Sequence, residues 1–259
     1  TTLDLSYEFS DYTLAYVTFA TGYKSGGFDQ RFVGPTPDGA PSSYRPESVD
    51  SLELGLKTSS SDGRLRVNVS VFDADYDDLQ IIVRESFNPL TVNAGAARIR
   101  GGELELQWLA STNWEFGFSA GHLDTKYRRL NQPAQDSGVR LENKLANSPT
   151  WSVAAGTSYR LGLSSLGEAT ARLDWAWQDT EYNDAVNSPQ IRQSAFHLVN
   201  ASLAFTPWES DWQLTVATRN LFDETYLVSG NSAFDTTAAY VEQVYGRPRE
   251  FLVSLTYEF

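Results

Sequence analysis

The side chains that could do chemistry in this sequence of 259 residues are few, and their types limit what that chemistry can be. With no cysteine there is no disulfide framework, no thiolate metal site and no thiol redox motif. The only imidazoles are His122 and His197. Both fall on the apolar phase of an alternating segment, where an interfacial polar residue is expected rather than a general base, so no catalytic residue is assigned. Asp73, Asp75, Asp77 and Asp78 place alternate carboxylates close together, as a calcium site could. The run lacks the glycine and terminal glutamate of a hand-type loop, and it reads as the solvated extension of a strand; neither a metal site nor a cofactor is expected. Nucleic acid is excluded as a partner by a net charge of −13, with 20 Lys and Arg against 33 Asp and Glu, because phosphates demand a basic footprint.

The elements that position these residues are strands. Apolar and polar residues alternate with period two from Leu52 to Phe259, and no helical periodicity is sustained. The clearest runs are Leu52, Leu54, Leu56; Leu65, Val67, Val69, Val71; Leu104, Leu106, Trp108; Trp114, Phe116, Phe118, Ala120; Trp151, Val153, Ala155, Thr157, Tyr159; and Phe251, Val253, Leu255, Tyr257, Phe259. Similar runs start at Ala171, Val199 and Trp212. Two weaker strands, about residues 2–8 and 12–24, bring the expectation to about 11.

None of the 35 positions in these nine runs is charged although 20% of all residues are, so one face is wholly apolar. The other face carries Gly, Ser, Asn, Gln and Thr with Glu53, Lys57, Arg66, Glu103, Glu105, Arg160, Arg172 and Asp174, for which ion pairs across neighbouring strands are expected. That is the division of a membrane barrel, lipid outside and water inside. The longest apolar runs are far too short for a spanning helix.

Connections alternate too. Short turns at Ser10–Asp11, Ser59–Gly63, Leu109–Asn113, Leu161–Gly167 and Pro207–Asp211 are interleaved with longer links at about 25–46, 127–147, 182–194 and 226–246, and a shorter one near 85–90. Trp108, Trp114, Trp208 and Trp212 flank short turns, whereas Trp151, Trp175 and Trp177 fall toward the long links. Two aromatic girdles and one long-looped end are the marks of an outer-membrane barrel.

Several segments together resemble the TonB-dependent outer-membrane receptors, and specifically the C-terminal half of their barrel. They are Tyr16–Phe28, Tyr44–Glu47, Leu52–Lys57, Phe72–Gln80, Val92–Glu105, Asn220–Tyr226 and Gly246–Phe259, in order along nearly the whole chain. The resemblance implies an all-β fold, an antiparallel transmembrane β-barrel in which this chain supplies about 11 of 22 strands, in the outer membrane of a Gram-negative bacterium. Residues 1–259 are expected to be that C-terminal part with no plug domain, a fragment reading that Thr1 in place of an initiating Met also favours.

The implied function is active uptake of a scarce nutrient, a ferric siderophore or another metal chelate, with no enzymatic step. The expected partners are outer-membrane lipid, the TonB system acting through an N-terminal plug, the barrel-assembly machinery and the small-molecule ligand. Val253, Leu255, Tyr257 and Phe259 fit the assembly signal at the last strand, with Leu252 and Ser254 departing from it. Ligand contact is expected from Tyr23, Lys24, Arg31, Tyr44 and Arg45 on the first long link and from Arg247 and Arg249 before the last strand. Asn220, Phe222 and Asp223 are expected to be structural. Two competing readings are a self-contained outer-membrane barrel hydrolase and a soluble all-β binding module.

Overall fold

The computed structural model describes residues 1–29, 41–85, 88–235 and 239–258. One antiparallel sheet holds 11 strands: β1 (Thr2–Ser10), β2 (Thr13–Lys24), β3 (Glu47–Ser59), β4 (Leu65–Asp77), β5 (Gly95–Ser111), β6 (Trp114–Leu130), β7 (Trp151–Gly162), β8 (Gly167–Gln178), β9 (Phe196–Pro207), β10 (Trp212–Arg219) and β11 (Glu250–Tyr257). Each pairs with its chain neighbours, in an open meander whose edges are β1 and β11. Five turns at one end are short, the briefest being residues 11–12 and 112–113. The five connections at the other end run over 25–46, 78–94, 131–150, 179–195 and 220–249.

Register explains how the apolar phase becomes one continuous face. Leu54 lies opposite Val17 on one side and Val71 on the other. Val67 meets Leu106, and Leu106 meets Phe118. The row continues through Ala155, Trp175 and Val199, and Leu214 meets Leu255 near the last edge. This face is bare: Leu54 is 50%, Val71 51% and Val253 73% exposed. So large an apolar surface needs a non-aqueous cover, which lipid supplies. At its short-turn margin the rings of Trp108 and Phe116 stack at 5.6 Å, and Trp114 meets Tyr159 edge-on at 5.9 Å. At its long-loop margin His122 packs edge-on against Trp151 at 4.5 Å, on the outward phase.

Two expectations need correction. First, the outward phase does not stay apolar to the strand ends: β5 and β6 each run for 17 residues, past the apolar runs that stop at Leu104 and Ala120. Above the level of Val71, Gly102 and His122 the two phases exchange character. Along β4 the outward residues change from Val67, Val69 and Val71 to Asp73, Asp75 and Asp77, while the inward ones change from Arg66, Asn68 and Ser70 to Phe72, Ala74 and Tyr76. In β5, Arg98 and Arg100 point outward and Ala97 and Ile99 inward. The strand does not slip; its surroundings change from lipid outside and water inside to water outside and protein inside.

Second, the cross-strand ion pairs expected on the polar lower face are absent among the described residues. Arg172 pairs with Asp174 of its own strand at 2.6 Å, and Lys57 lies 5.5 Å from the centre of the Tyr16 ring. Tyr16 donates its phenol to Glu53 at 2.6 Å, with its ring lying where a side chain at Gly55 would stand. Besides Arg219 and Glu250, which face each other at 4.0 Å on the inward phase of β10 and β11, cross-strand ion pairs occur on the outer face above the exchange level. There Arg98 donates to both carboxylate oxygens of Asp73, Arg100 to Asp73 at 3.0 Å and Arg128 to Asp75 at 2.7 Å. The acidic run is thereby a paired strand extension.

Candidate functional site

The described parts of the five long connections are folded, and they form a cap over the long-loop end. The second is a hairpin, Gln80–Glu85 with Asn88–Asn93, and the fifth another, Leu227–Ser232 with Val241–Tyr245. The third carries the helix α1 (Gln132–Asp136). Their apolar residues make the principal buried cluster: Val83 and Val92 of the hairpin, Ala134, Val139 and Leu145 of the third connection, and Ala185 of the fourth pack on Ala97 and Tyr127 of the strands beneath. The inward apolar phase of upper β4–β6 exists to seat this cap. Burial pushes the Tyr127 phenol up to about 12, with the charge of Asp184 adding to it. Burial likewise raises Glu181, against a hydrogen bond from Gln178 that lowers it.

Hydrogen bonds tie each connection to the next. Asp29 accepts from the Thr91 amide at 2.8 Å, joining the first to the second, and Glu47 accepts from the Gln80 amide at 2.6 Å. Asn187 accepts from the Lys144 amide at 2.8 Å, joining third to fourth. The Gln243 side chain donates to the Gln190 carbonyl at 2.7 Å, and Ile191 lies where a side chain at Gly230 would stand, joining fourth to fifth. Arg84 also donates to the Tyr240 hydroxyl at 3.3 Å, so the second connection reaches the fifth across the two between them.

The expected ligand-contact residues are dispersed within this cap. Tyr23 is 81% exposed and stands on the outward phase, level with Ser48 and Asp77, whereas Lys24 stands on the inward phase. Arg45 joins the first two connections: its guanidinium pairs with Asp78 at 2.6 Å, its amide donates to Asn93 and its carbonyl accepts from Gln80 and Asn93. Tyr44 pairs with Gly27, its ring lying over the glycine. Arg31 lies outside the described residues, as does Phe259 of the assembly signal. Val253, Leu255 and Tyr257 all stand on the outward face of β11.

Arg247 and Arg249 belong to a different structure, a polar knot before β11. Asn220, 5% exposed and in the left-handed region at φ 48°, accepts from the Glu224 amide and donates to the carbonyls of Glu224 and Arg247. Asp223, also left-handed at φ 57°, accepts from the Arg249 amide at 2.8 Å. Asn and Asp tolerate that backbone and satisfy it with their own side chains, which is why this motif takes them here. The Arg249 guanidinium lies 5.8 Å from the Phe251 ring centre on the outward side, and Arg247 stands 3.7 Å from Glu250.

Below the cap, the inner wall of β4–β8 forms a concavity of about 470 Å³ with Arg66, Glu105, Glu115, Arg172 and Asp174 around a floor that includes Gly117 and Gly156. Among the described residues no group of three or more His, Asp or Glu side chains could hold a metal ion.

An 11-stranded open sheet, apolar outside, polar inside and capped at one end by folded connections, is one sector of a membrane barrel. The family described as TonB dependent receptor-like, beta-barrel matches residues 2–221. The chain belongs to this family. Solved structures agree on the fold. The ferric yersiniabactin uptake receptor FyuA from Yersinia pestis aligns with all of this chain at a TM-score of 0.81 and 20% identity, the match covering 37% of that protein. The ferric preacinetobactin receptor BauA from Acinetobacter baumannii aligns over 100% of the chain at 0.72 and 17%, covering 36% of its own length. The copper transporter OprC does so at 0.71 and 19%, covering 40%. The chain thus spans little more than a third of these receptors. It is a strand sector of a Gram-negative outer-membrane barrel, in a family of receptors rather than enzymes.

Proposed function

We propose that this chain is the C-terminal sector of a 22-stranded outer-membrane receptor that takes up a metal chelate, a ferric siderophore above all, by TonB-dependent transport. The family match over residues 2–221 carries the proposal. Iron-chelate and copper uptake by the structural neighbours favours metal cargo over other nutrients. Within this reading the sheet supplies half of the barrel wall, and a plug elsewhere in the parent protein supplies the contact to TonB. The barrel-assembly machinery reads Val253, Leu255, Tyr257 and Phe259. No bond in the cargo is made or broken.

Ligand contact falls to the cap. Lys24 on the inward phase, Tyr44 and Arg45 at the joint of the first two connections, Arg31 and Arg247 are the proposed contacts, with cationic groups suited to an anionic chelate. Tyr23 and Arg249 face outward and are assigned lesser parts in it. The test is uptake of radio-iron-labelled siderophores by cells carrying or lacking the parent gene, each with and without a working TonB system. Uptake that needs both supports the proposal; uptake of every chelate unchanged by loss of the gene, or unchanged by loss of TonB, overturns it.

A further inference from the structure

Just below the cap, the inner wall of β5–β9 holds a second hollow of about 410 Å³, the scale of a small-molecule site. Two rungs of the sheet make its floor, both on the inward phase. The lower passes through Ala154 and Ala176 to Leu198, and the upper from Gly121 through Ser152 to Phe196. Short side chains keep this floor flat, and a side chain at Gly121 would meet nothing within 4 Å. On the β9 side Phe196 closes the hollow, its ring stacked at 4.8 Å and 12° on Tyr226 of the fifth connection. Glu103 closes the β5 side.

A cation without a counter-ion stands over this floor. One inward rung above Ser152 is Thr150, whose carbonyl accepts from the Leu123 amide at 2.9 Å and so carries the register of β6 and β7 upward. The Lys144 ammonium donates to the Thr150 hydroxyl at 2.8 Å, and among the described residues it has no carboxylate partner. One of its three donors is thereby used. Its place is fixed, because the Asn187 side chain grips the Lys144 peptide on both sides, accepting from its amide at 2.8 Å and donating to its carbonyl at 2.9 Å. The next residue, Leu145, is buried in the cap core. A half-buried charge held this way is costly until an anion completes it.

We propose that the hollow and Lys144 together bind an aromatic ring carrying anionic oxygens, a phenolate, catecholate or aryl carboxylate, as one arm of the metal chelate. The ring lies on the flat floor beside Phe196, and its oxygens take the free donors of Lys144 and the hydroxyl hydrogen of Thr150. Glu103, two strands from Thr150, repels the anion from the β5 side and turns it toward Lys144. Given the uptake reading above, this narrows the cargo to chelates with such an arm. A chelate built only from aliphatic donor arms would leave the floor bare.

The test uses the full-length receptor containing this chain, purified in detergent and titrated with three small probes by saturation-transfer NMR: 2-hydroxybenzoate, with ring and anion; benzyl alcohol, with the ring alone; and acetate, with the anion alone. Wild type should bind 2-hydroxybenzoate at least about tenfold more tightly than either of the others. Lys144→Gln should weaken it about tenfold, and so should Gly121→Leu, which fills the hollow. Arg160→Gln, the same charge change at the short-turn end of β7, should leave it unchanged. Heat-modifiable migration on gels checks that each barrel is folded. Should the variants fail to fold, the ranking of the three probes by wild type still decides. No binding of 2-hydroxybenzoate, as when the plug fills the hollow, equal binding of the three probes, undiminished binding by folded Lys144→Gln, or equal loss in Arg160→Gln would each overturn the proposal. Transport that proves independent of TonB would remove the uptake reading and leave this binding standing, whereas TonB-dependent uptake without 2-hydroxybenzoate binding would do the reverse.

Discussion

The lower and upper halves of β4–β6 are the same strands in two different surroundings. In the lower half Val69, Leu104 and Phe118 face outward and Asn68, Glu105 and Ser119 inward. In the upper half Asp75, Arg98 and Lys126 face outward and Tyr76, Ala97 and Tyr127 inward. Period two survives the crossing while its meaning reverses. Hydrophobic residues therefore mark whichever face water does not reach: the lipid face below, and above it the face against the cap, where Ala97 is wholly buried and Tyr127 is 5% exposed.

If the upper inward phase is the seat of the cap, removing its largest member should hurt most. Tyr127→Ala is expected to cost about 3–5 kcal/mol of local stability. Limited proteolysis should then cut the third and fourth connections early while heat-modifiable migration of the barrel is kept; unchanged protease resistance would contradict this seat. The outward faces can be compared directly. Arg at Leu106 should cost about 2–4 kcal/mol in the parent barrel inserted in lipid, measured by denaturant unfolding from vesicles. Arg at Ser48, outward but level with Asp77, should be close to neutral. Equal penalties at the two sites would remove the boundary between the halves.

A pH scan sharpens the contrast further. The Tyr127 phenol, ordinarily at 10.0, is pushed up to about 12 in the fold. A raised pKa means that the unfolded cap loses its proton first, so the stability from burying the neutral phenol is present below pH 10 and lost as pH rises through 12. The loss is up to roughly 2–3 kcal/mol. Hydrogen exchange in the cap should accelerate across that window while the strands below stay protected. The smallest effect belongs to the outward ion pairs. Arg128→Gln should change unfolding stability by less than about 1 kcal/mol, because half-exposed pairs are screened by water and salt. A larger loss would mean that these pairs stabilise the fold itself.

Much of this was legible in the residues. Leu52, Leu54, Leu56 and their like gave the strands, Ser and Gly turns gave the short end, and His122 and His197 fell on the outward phase as expected. The upper halves were harder, although their signal is present: in Val71, Phe72, Asp73, Ala74 the apolar residues change parity with no Gly or Pro to announce a break. A parity change normally implies a bulge, and here there is none in β4, because the surroundings rather than the backbone had shifted. The dual role of Arg45, exposed yet holding Asp78 and carrying the bonds to Asn93, rests on partners 33 and 48 residues away that no local pattern connects.

By itself the sequence determined period, strand number, which phase avoids charge and which ends carry the long connections, since these depend on side-chain polarity and on spacings of a few residues. Only the tertiary structure decided where lipid stops, that the described parts of the long connections pack into one cap, and that the outward charges of β4–β6 pair across strands while Arg172 pairs with Asp174 of its own strand. Those outcomes turn on which segments meet across tens of residues, and a side chain's role at such a meeting is set by the medium it faces there.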